Sequence, residues 1–223
     1  MNYKNIKNQR SKIKIVVEIN EKIMGSLTEH VLLDYTSIRN FKSWKELFKN
    51  PQPLKVDIGC GKDDALIERA LHEPHFNFIG IENDSGIAYR FEKKIRRSKA
   101  TNLLLVLFDA HFVIEKMFDN ESVELFSMQF PDPWPKKRHH KRRVLTSPFV
   151  KILRDKLREN GEFFVATDVQ AVSELALEVV NICGGFKRIT QGELKSHPFH
   201  TLYEKKFLSH GLPIHYLKFK KID

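Results

Sequence analysis

The residues of this chain best suited to chemistry are concentrated in one stretch, Phe130-Pro131-Asp132-Pro133-Trp134-Pro135-Lys136-Lys137-Arg138-His139-His140-Lys141-Arg142-Arg143. A lone carboxylate stands between two prolines beside an indole, and six Lys or Arg residues and two histidines follow at once. The apolar run Val123 to Phe130 before it reads as a buried strand, and proline is tolerated at the end of such a strand but not inside it. Asp132 therefore stands just past a strand's C-terminal end, which in open α/β sheets is the edge where ligands bind. Rigid prolines hold Asp132 and Trp134 there at low entropic cost, and the basic octet is a handle for an anion. Taken alone, the octet is equally a solvated face or a targeting signal, and the Pro-rich stretch a surface loop.

Further acids obey the same placement. Each of five expected strands carries one at or just past its C-terminal edge: Asp57, Glu82, Asp109, Asp132 and Asp168. Any one of them is equally a helix cap or turn residue, since Asp bonds locally to backbone N–H groups. Together they are expected to line one crevice. The turn Asp57-Ile58-Gly59-Cys60-Gly61-Lys62 suits two nucleotide ligands, a dinucleotide or S-adenosylmethionine. A pyrophosphate would need the following helix N-terminus, where Asp63 and Asp64 would repel it. S-adenosylmethionine has no phosphate and carries a sulfonium and an ammonium, so loop electrostatics favour it. Glu82, 21 residues beyond Gly61, suits a ribose diol, and Asp109 an adenine amino group.

The elements that must position these groups alternate from Pro53 onward. Strands are expected over Leu54–Gly59, Phe76–Glu82, Leu103–Phe108, Val123–Phe130 and Glu162–Thr167. Helices are expected over Asp63–Leu71, Ser85–Arg97, Ser147–Arg158 and Ala171–Cys183, with Asp63 or Asp64 capping the first, Ser147 and Pro148 as N-cap and first residue of the third and Asn160-Gly161 stopping it. Strands over Phe186–Ile189, Tyr203–Leu208 and Ile214–Phe219 complete the chain. Parallel β/α units with an antiparallel ending imply an α/β fold, a mostly parallel doubly wound sheet with an antiparallel C-terminal hairpin. Phe41, Trp44, Leu47 and Phe48 at helical spacing predict a short helix packed on that sheet.

With 223 residues the chain suits one large domain, divided here into a basic lead-in over 1–40 and a single catalytic domain over 41–223. Residues 1–17 carry five cations and no acid and read as an arm without secondary structure. Thirty-eight Lys and Arg against 28 Asp and Glu give a formal charge of +10, which points to a polyanionic partner, nucleic acid first. No apolar run reaches membrane-spanning length and no signal sequence is evident, so a cytoplasmic protein is expected. Cys60 and Cys183 are the only cysteines and no Cys/His spacing suggests a metal, so both are expected as small core residues.

The stretch Phe130 to His139, after a D-I-G-C-G-K loop and before Thr167-Asp168 and Thr201-Leu202-Tyr203-Glu204, resembles the bacterial tRNA (guanine-N7-)-methyltransferase family over residues 54 to 219. The resemblance implies a Rossmann-like class I methyltransferase fold, S-adenosylmethionine as donor, no metal, and a guanine in the tRNA variable loop as acceptor. It implies that Asp57, Gly59, Gly61, Glu82, Asp109 and Asp132 form the cofactor site and its catalytic edge. Lys136, Asp168, Thr201, Tyr203 and Glu204 would meet the substrate, and Arg138, His139, His140, Lys141, Arg142 and Arg143 the tRNA backbone. The family usually has Glu where Asp57 stands and Gly where Asp63 stands, which places a carboxylate near the methionine end of the cofactor. Oligomeric state, monomer or homodimer, is left open.

Guanine N7 carries a free lone pair and no proton, so attack on the sulfonium methyl needs alignment and not a strong base. Asp132 then acts as orienter and electrostatic stabiliser, accepting from guanine N1–H and N2–H2 as the purine becomes cationic. Trp134 braces its loop, or stacks on a base. Two other readings remain: a methyltransferase acting on an amino group of another RNA or protein, and a catalytically degenerate RNA-binding protein of the same fold.

Overall fold

The computed structural model describes residues 31–189 and 200–222. The strands are β1 (Leu32–Leu33), β2 (Leu54–Ile58), β3 (Asn77–Glu82), β4 (Leu103–Leu107), β5 (Val123–Gln129), β6 (Leu157–Thr167), β7 (Phe186–Ile189) and β8 (His215–Lys221). They form one sheet in the order β1-β4-β3-β2-β5-β6-β8-β7. The strands from β1 to β6 are parallel, and β8 runs antiparallel between β6 and β7. The chain lays β2, β3 and β4 outward in one direction and then returns to place β5 and β6 on the other side of β2. The order reverses between β2 and β5, and at such a point the loops leaving the two strands diverge and open a crevice.

Helices α1 (Tyr35–Arg39), α2 (Trp44–Phe48), α3 (Ala65–His72), α4 (Ser85–Arg97), α5 (Ala110–Met117), α6 (Ser147–Lys156), α7 (Gln170–Cys183) and α8 (Leu202–Ser209) connect these strands. Strand alternation divides the core in two. Phe78, Leu103 and Leu105 pack with Leu66 and Ile67 of α3 and Ala88, Phe91 and Ile95 of α4. Ile79, Ile81 and Val106 belong to the other cluster, with Val113 and Ile114 of α5, Phe149 and Leu153 of α6 and Ala176 of α7. In α4 the buried residues recur at the helical spacing while Arg90, Lys93 and Arg97 face outward, the pattern of a helix lying on a sheet.

Four expectations need correction. Tyr203–Leu208 is not a strand but the body of α8. Thr201 caps it, Glu204 closes a capping box, and the spacing puts Tyr203 and Phe207 on one face. Helix α6 ends at Lys156, not Arg158, because Leu157 is already paired with Val123 and fully buried. Asn160-Gly161 is therefore no helix stop. It lies where the β5–β6 register shifts, with Asn160 left-handed at φ 60°. Thr146, not Ser147, is the N-cap of α6, accepting from Phe149 N at 3.4 Å. Helix α5, between Phe108 and Val123, and the elements β1 and α1 were not anticipated. The expected arm over residues 1–17 lies outside the described residues.

At Gly80, β3 packs against Cys60 of the turn after β2. A Cβ there would stand 2.8 Å from Cys60 Sγ and 3.1 Å from Leu66 Cδ2. Gly80→Ala should destabilise the protein by about 1–3 kcal/mol through overpacking, and Cys60→Ala in the same chain should recover part of that loss. Urea unfolding of the single and double variants measures both effects.

Candidate active site

The C-terminal ends of β2, β3, β4 and β5 open into a cleft of about 840 Å³. Its wall on the β2 side is the turn after Ile58, where Gly59 and Gly61 take φ of +69° and +64°. A side chain there would be strained although there is room for one, so the turn's backbone conformation is what requires glycine. Ile81 O accepts from Gly59 N at 2.8 Å and Cys60 N at 3.1 Å. Glu82 joins the two neighbouring loops. Its Oε2 accepts from Gly61 N at 3.1 Å, and Oε1 from Asn83 N at 2.8 Å and Asp84 N at 2.9 Å. Asp109, two residues past the end of β4, caps α5 through Phe112 N at 2.9 Å. Local capping and presence in the cleft are thus compatible in one residue.

On the β5 side, Phe130 and Trp134 hold left-handed backbone, φ 49° and 39°, on either side of Pro131-Asp132-Pro133. Such conformations in bulky residues cost on the order of 1–3 kcal/mol each and persist only where neighbours enforce them. The neighbours are identifiable. Phe130 N donates to Ala166 O at 2.7 Å. Arg143 donates from Nε to Pro133 O and from a terminal nitrogen to Trp134 O, both at 3.2 Å. The Arg142 guanidinium lies 4.9 Å from the Trp134 ring centre, and His139 meets that ring at right angles at 5.7 Å. Trp134 is therefore a brace between the loop and the 3-10 helix Lys137–Arg142. Asp132, at the tip, is exposed and has no hydrogen-bond partner among the described residues.

The structure gathers Gly59, Glu82, Asp109 and Asp132 around the cleft, together with Arg142 and Arg143. It does not gather all five acids. Asp57 is buried behind the wall, 5% exposed, where Ser127 Oγ donates to it at 2.6 Å. Asp168 lies past the end of β6, outside the cleft lining. Asp63 does not point into the cleft either: Oδ1 accepts from Ala65 N at 3.1 Å and Oδ2 from Leu202 N. Asp64 holds the N-cap position of α3 without a side-chain cap, its carboxylate paired instead with Lys94 at 2.9 Å.

Thr201 and Glu204 are buried in their capping box, Glu204 also accepting from Tyr216 hydroxyl at 3.0 Å. Burial and the Glu204 carboxylate raise the Tyr216 pKa. Tyr203 is exposed and stacks 5.7 Å from Phe130 at the root of the loop. Lys136, Arg138 and His140 are exposed, whereas Arg143 and His139 are half-buried against the loop they brace. The octet therefore has an inward and an outward side, which sequence alone did not separate.

Sequence reasoning passed over three residues. His111 lines the cleft two positions after Asp109 and stacks 5.5 Å from Phe149; its place in the first turn of α5 was hidden because that helix was not expected. Ser127 partners Asp57, a pairing visible only across strands. Arg69 of α3 is 4% exposed, and its Nε has no partner among the described residues. Burial pulls its pKa down while Asp57, Glu73 and Glu204 push it up.

Among the described residues no group of His, Cys, Asp and Glu is arranged to hold a metal ion, and no helix is long and apolar enough to cross a membrane. A family model described as a putative methyltransferase matches residues 51–217. The chain is 40% identical over 149 residues to the tRNA (guanine-N(7)-)-methyltransferase of Vibrio parahaemolyticus, 66% of this chain and 62% of that protein. It is 34% identical over 196 residues to the protein of the same name from Vibrio vulnificus, 86% of this chain and 81% of that one. In fold it is similar to the 16S rRNA methyltransferase KamB, with a TM-score of 0.55 over 82% of this chain and 96% of that one at 15% identity, a likeness of fold alone.

Burial raises the Asp57 carboxyl above its usual range, against the lowering effects of Arg69 and the Ser127 hydrogen bond. The stability this group contributes is fully present below the ordinary Asp pKa and is lost as pH rises through the raised one. Asp57→Asn removes that titration and keeps an acceptor for Ser127. Its urea midpoint should fall less than that of the wild type as pH rises from the ordinary carboxylate range to neutrality; an identical decline would show that Asp57 is not the group responsible.

Proposed function

The chain belongs to the tRNA (guanine-N7-)-methyltransferase family, and from that premise we propose that it transfers a methyl group from S-adenosylmethionine to N7 of a guanine in the variable loop of tRNA. The observation that carries this reading is the pairing, across one cleft, of a glycine turn lined by Glu82 and Asp109 with a strained, braced loop presenting Asp132. The residues fit the donor. A cleft with four carboxylates, Glu82, Asp84, Asp109 and Asp132, two of which cap the helix ends that line it, suits a ligand carrying a sulfonium and an ammonium and repels a pyrophosphate. Glu82 and the turn at Gly59 and Gly61 would hold the ribose side and Asp109 the adenine side.

When bound, S-adenosylmethionine supplies an electrophilic methyl group. The protein's share is to bring guanine N7 into line with it and to exclude water, an orientation effect that requires no general base because N7 bears no proton. Asp132, held at the loop tip without a partner among the described residues, accepts from guanine N1–H and N2–H2. Adenine presents no matching donor pair there, so the contact selects guanine. As the bond to carbon forms, the purine gains positive charge, and the fixed carboxylate stabilises it. Tyr203, exposed at the root of the loop, offers a face for stacking, and Lys136, Arg138, His140 and Arg142 offer cations to phosphates. The protein acts where tRNA is made and used, in the cytoplasm.

Nucleoside analysis of tRNA incubated with protein and S-adenosylmethionine tests the reaction: N7-methylguanosine is expected, and its absence overturns the reading. Asp132→Ala should reduce turnover at least about a hundredfold while tRNA affinity changes less than about threefold, since a positioned electrostatic group of this kind supplies about 10²–10³ of rate. Filter binding beside single-turnover kinetics separates the two. Replacing Lys136 and Arg138 together by Ala should lower the salt slope of tRNA binding by about 2, one per lost phosphate contact, with donor binding unchanged. An unaltered slope would make these side chains a solvated face.

A further inference from the structure

Helix α8 touches Asp63, just past the glycine turn, and Phe130, at the root of the acceptor loop. At its N-terminus, Leu202 is the first helical residue, and its backbone N–H is one of the donors that a helix leaves without an internal partner. Thr201 and Glu204 satisfy their own N–H groups reciprocally, at 3.1 Å and 2.8 Å. The Leu202 N–H instead reaches Asp63 Oδ2, 139 residues away in sequence, while Asp63 Oδ1 accepts from Ala65 N at 3.1 Å. One carboxylate thus spans the N-termini of α3 and α8, where helix dipoles also favour it. Tyr203, the next residue, and Phe207, a turn beyond it, stack on Phe130 at 5.7 Å and 6.0 Å, with interplanar angles of 26° and 11°. Phe130 is the left-handed residue from which Pro131 and Asp132 depart.

We propose that Asp63 is a positioning residue that ties the donor-side turn to the acceptor loop through α8, so that donor occupancy and tRNA binding are coupled. A capping role for α3 would need one oxygen only, and the second oxygen goes to another element. The route is continuous: the turn at Gly61, Asp63, the Leu202 N–H, the rings of Tyr203 and Phe207, then Phe130 and Asp132. The same first turn is held to β8 by the Tyr216 hydroxyl, which donates to Glu204 at 3.0 Å, and the Asp63 contact is what joins it to the donor-side turn. The coupling rests on the donor and acceptor proposed above, and by linkage it must be the same measured from either ligand.

Leu202→Pro tests the contact directly. Proline is tolerated at the first helical position and lacks only the N–H in question. Thr201, at φ −62° and ψ 162°, already has the extended backbone that a residue before proline requires, and the Leu202 side chain is 59% exposed. The tRNA dissociation constant is measured with and without saturating S-adenosylhomocysteine for the wild type, Leu202→Pro, Asp63→Gly and the double variant, each confirmed folded by circular dichroism. The wild type is expected to bind tRNA about fivefold or more tightly in the presence of S-adenosylhomocysteine. In each variant that ratio should fall to about one, with S-adenosylhomocysteine affinity alone changed less than about twofold, and the double variant should be no worse than either single one. If Asp63→Gly does not fold, Leu202→Pro alone decides. A wild-type ratio of one, or a Leu202→Pro ratio equal to that of the wild type, overturns the proposal. Because these are binding measurements, a protein that shows the coupling yet forms no N7-methylguanosine would refute the proposed reaction and leave the role of Asp63 standing.

Discussion

The parallel pairing of β2 with β5 is the constraint from which the rest of the site follows. It is the seam at which the strand order reverses, so the turn after Ile58 and the loop after Gln129 must part and leave a cleft between them. The register sets Asp57 opposite Ser127, and their side chains share a buried 2.6 Å hydrogen bond. A buried carboxylate without donors would be expensive by several kcal/mol, so the hydroxyl and the nearby Arg69 charge both matter. A slip of one residue would turn Ser127 to the other face and leave Asp57 unpaired. Strand pairing and acid placement therefore specify each other.

The acceptor loop stands on a second balance. Two left-handed bulky residues, Phe130 and Trp134, cost together about 2–6 kcal/mol. Two charge-assisted bonds from Arg143, each worth about 1.5–3 kcal/mol, the Arg142 contact with the indole and the Phe130 stack on α8 are of the size needed to offset it. The basic segment is thus both the brace of the loop and the outward charge beside it. The division runs through neighbouring residues: Arg143 turns inward to carbonyls, and Arg138 turns outward.

Hydrophobic pattern made the parallel core legible. Leu103 to Leu107 is continuously apolar because it is covered on both faces, and Ser85–Arg97 has one apolar stripe because it lies on the sheet. Local chemistry was legible as well: Asp84 and Asp109 cap helices as their type and position imply. The signals failed where two periods or two roles were available to the same residues. Thr201 to Leu208 carries apolar residues at spacings that suit either a strand or a helix, and the Thr201–Glu204 box was the cue that decides for the helix. Leu157 was read as helix because nothing local shows that it pairs with Val123.

By itself, the sequence determined the five core strands from β2 to β6 and most of the helices between them, the edge on which the acids fall and the identity of the loop that carries Asp132. Those follow from short-range rules: side-chain period, capping and the places proline can occupy. The tertiary structure decided which acids face a common space. Glu82, Asp84, Asp109 and Asp132 do, while Asp57 is buried within the sheet beside Ser127 and Asp63 is drawn aside by the N–H of Leu202. These outcomes depend on partners 70 and 139 residues distant. Direction and partnership of a side chain are set by packing between elements, and no local pattern encodes them.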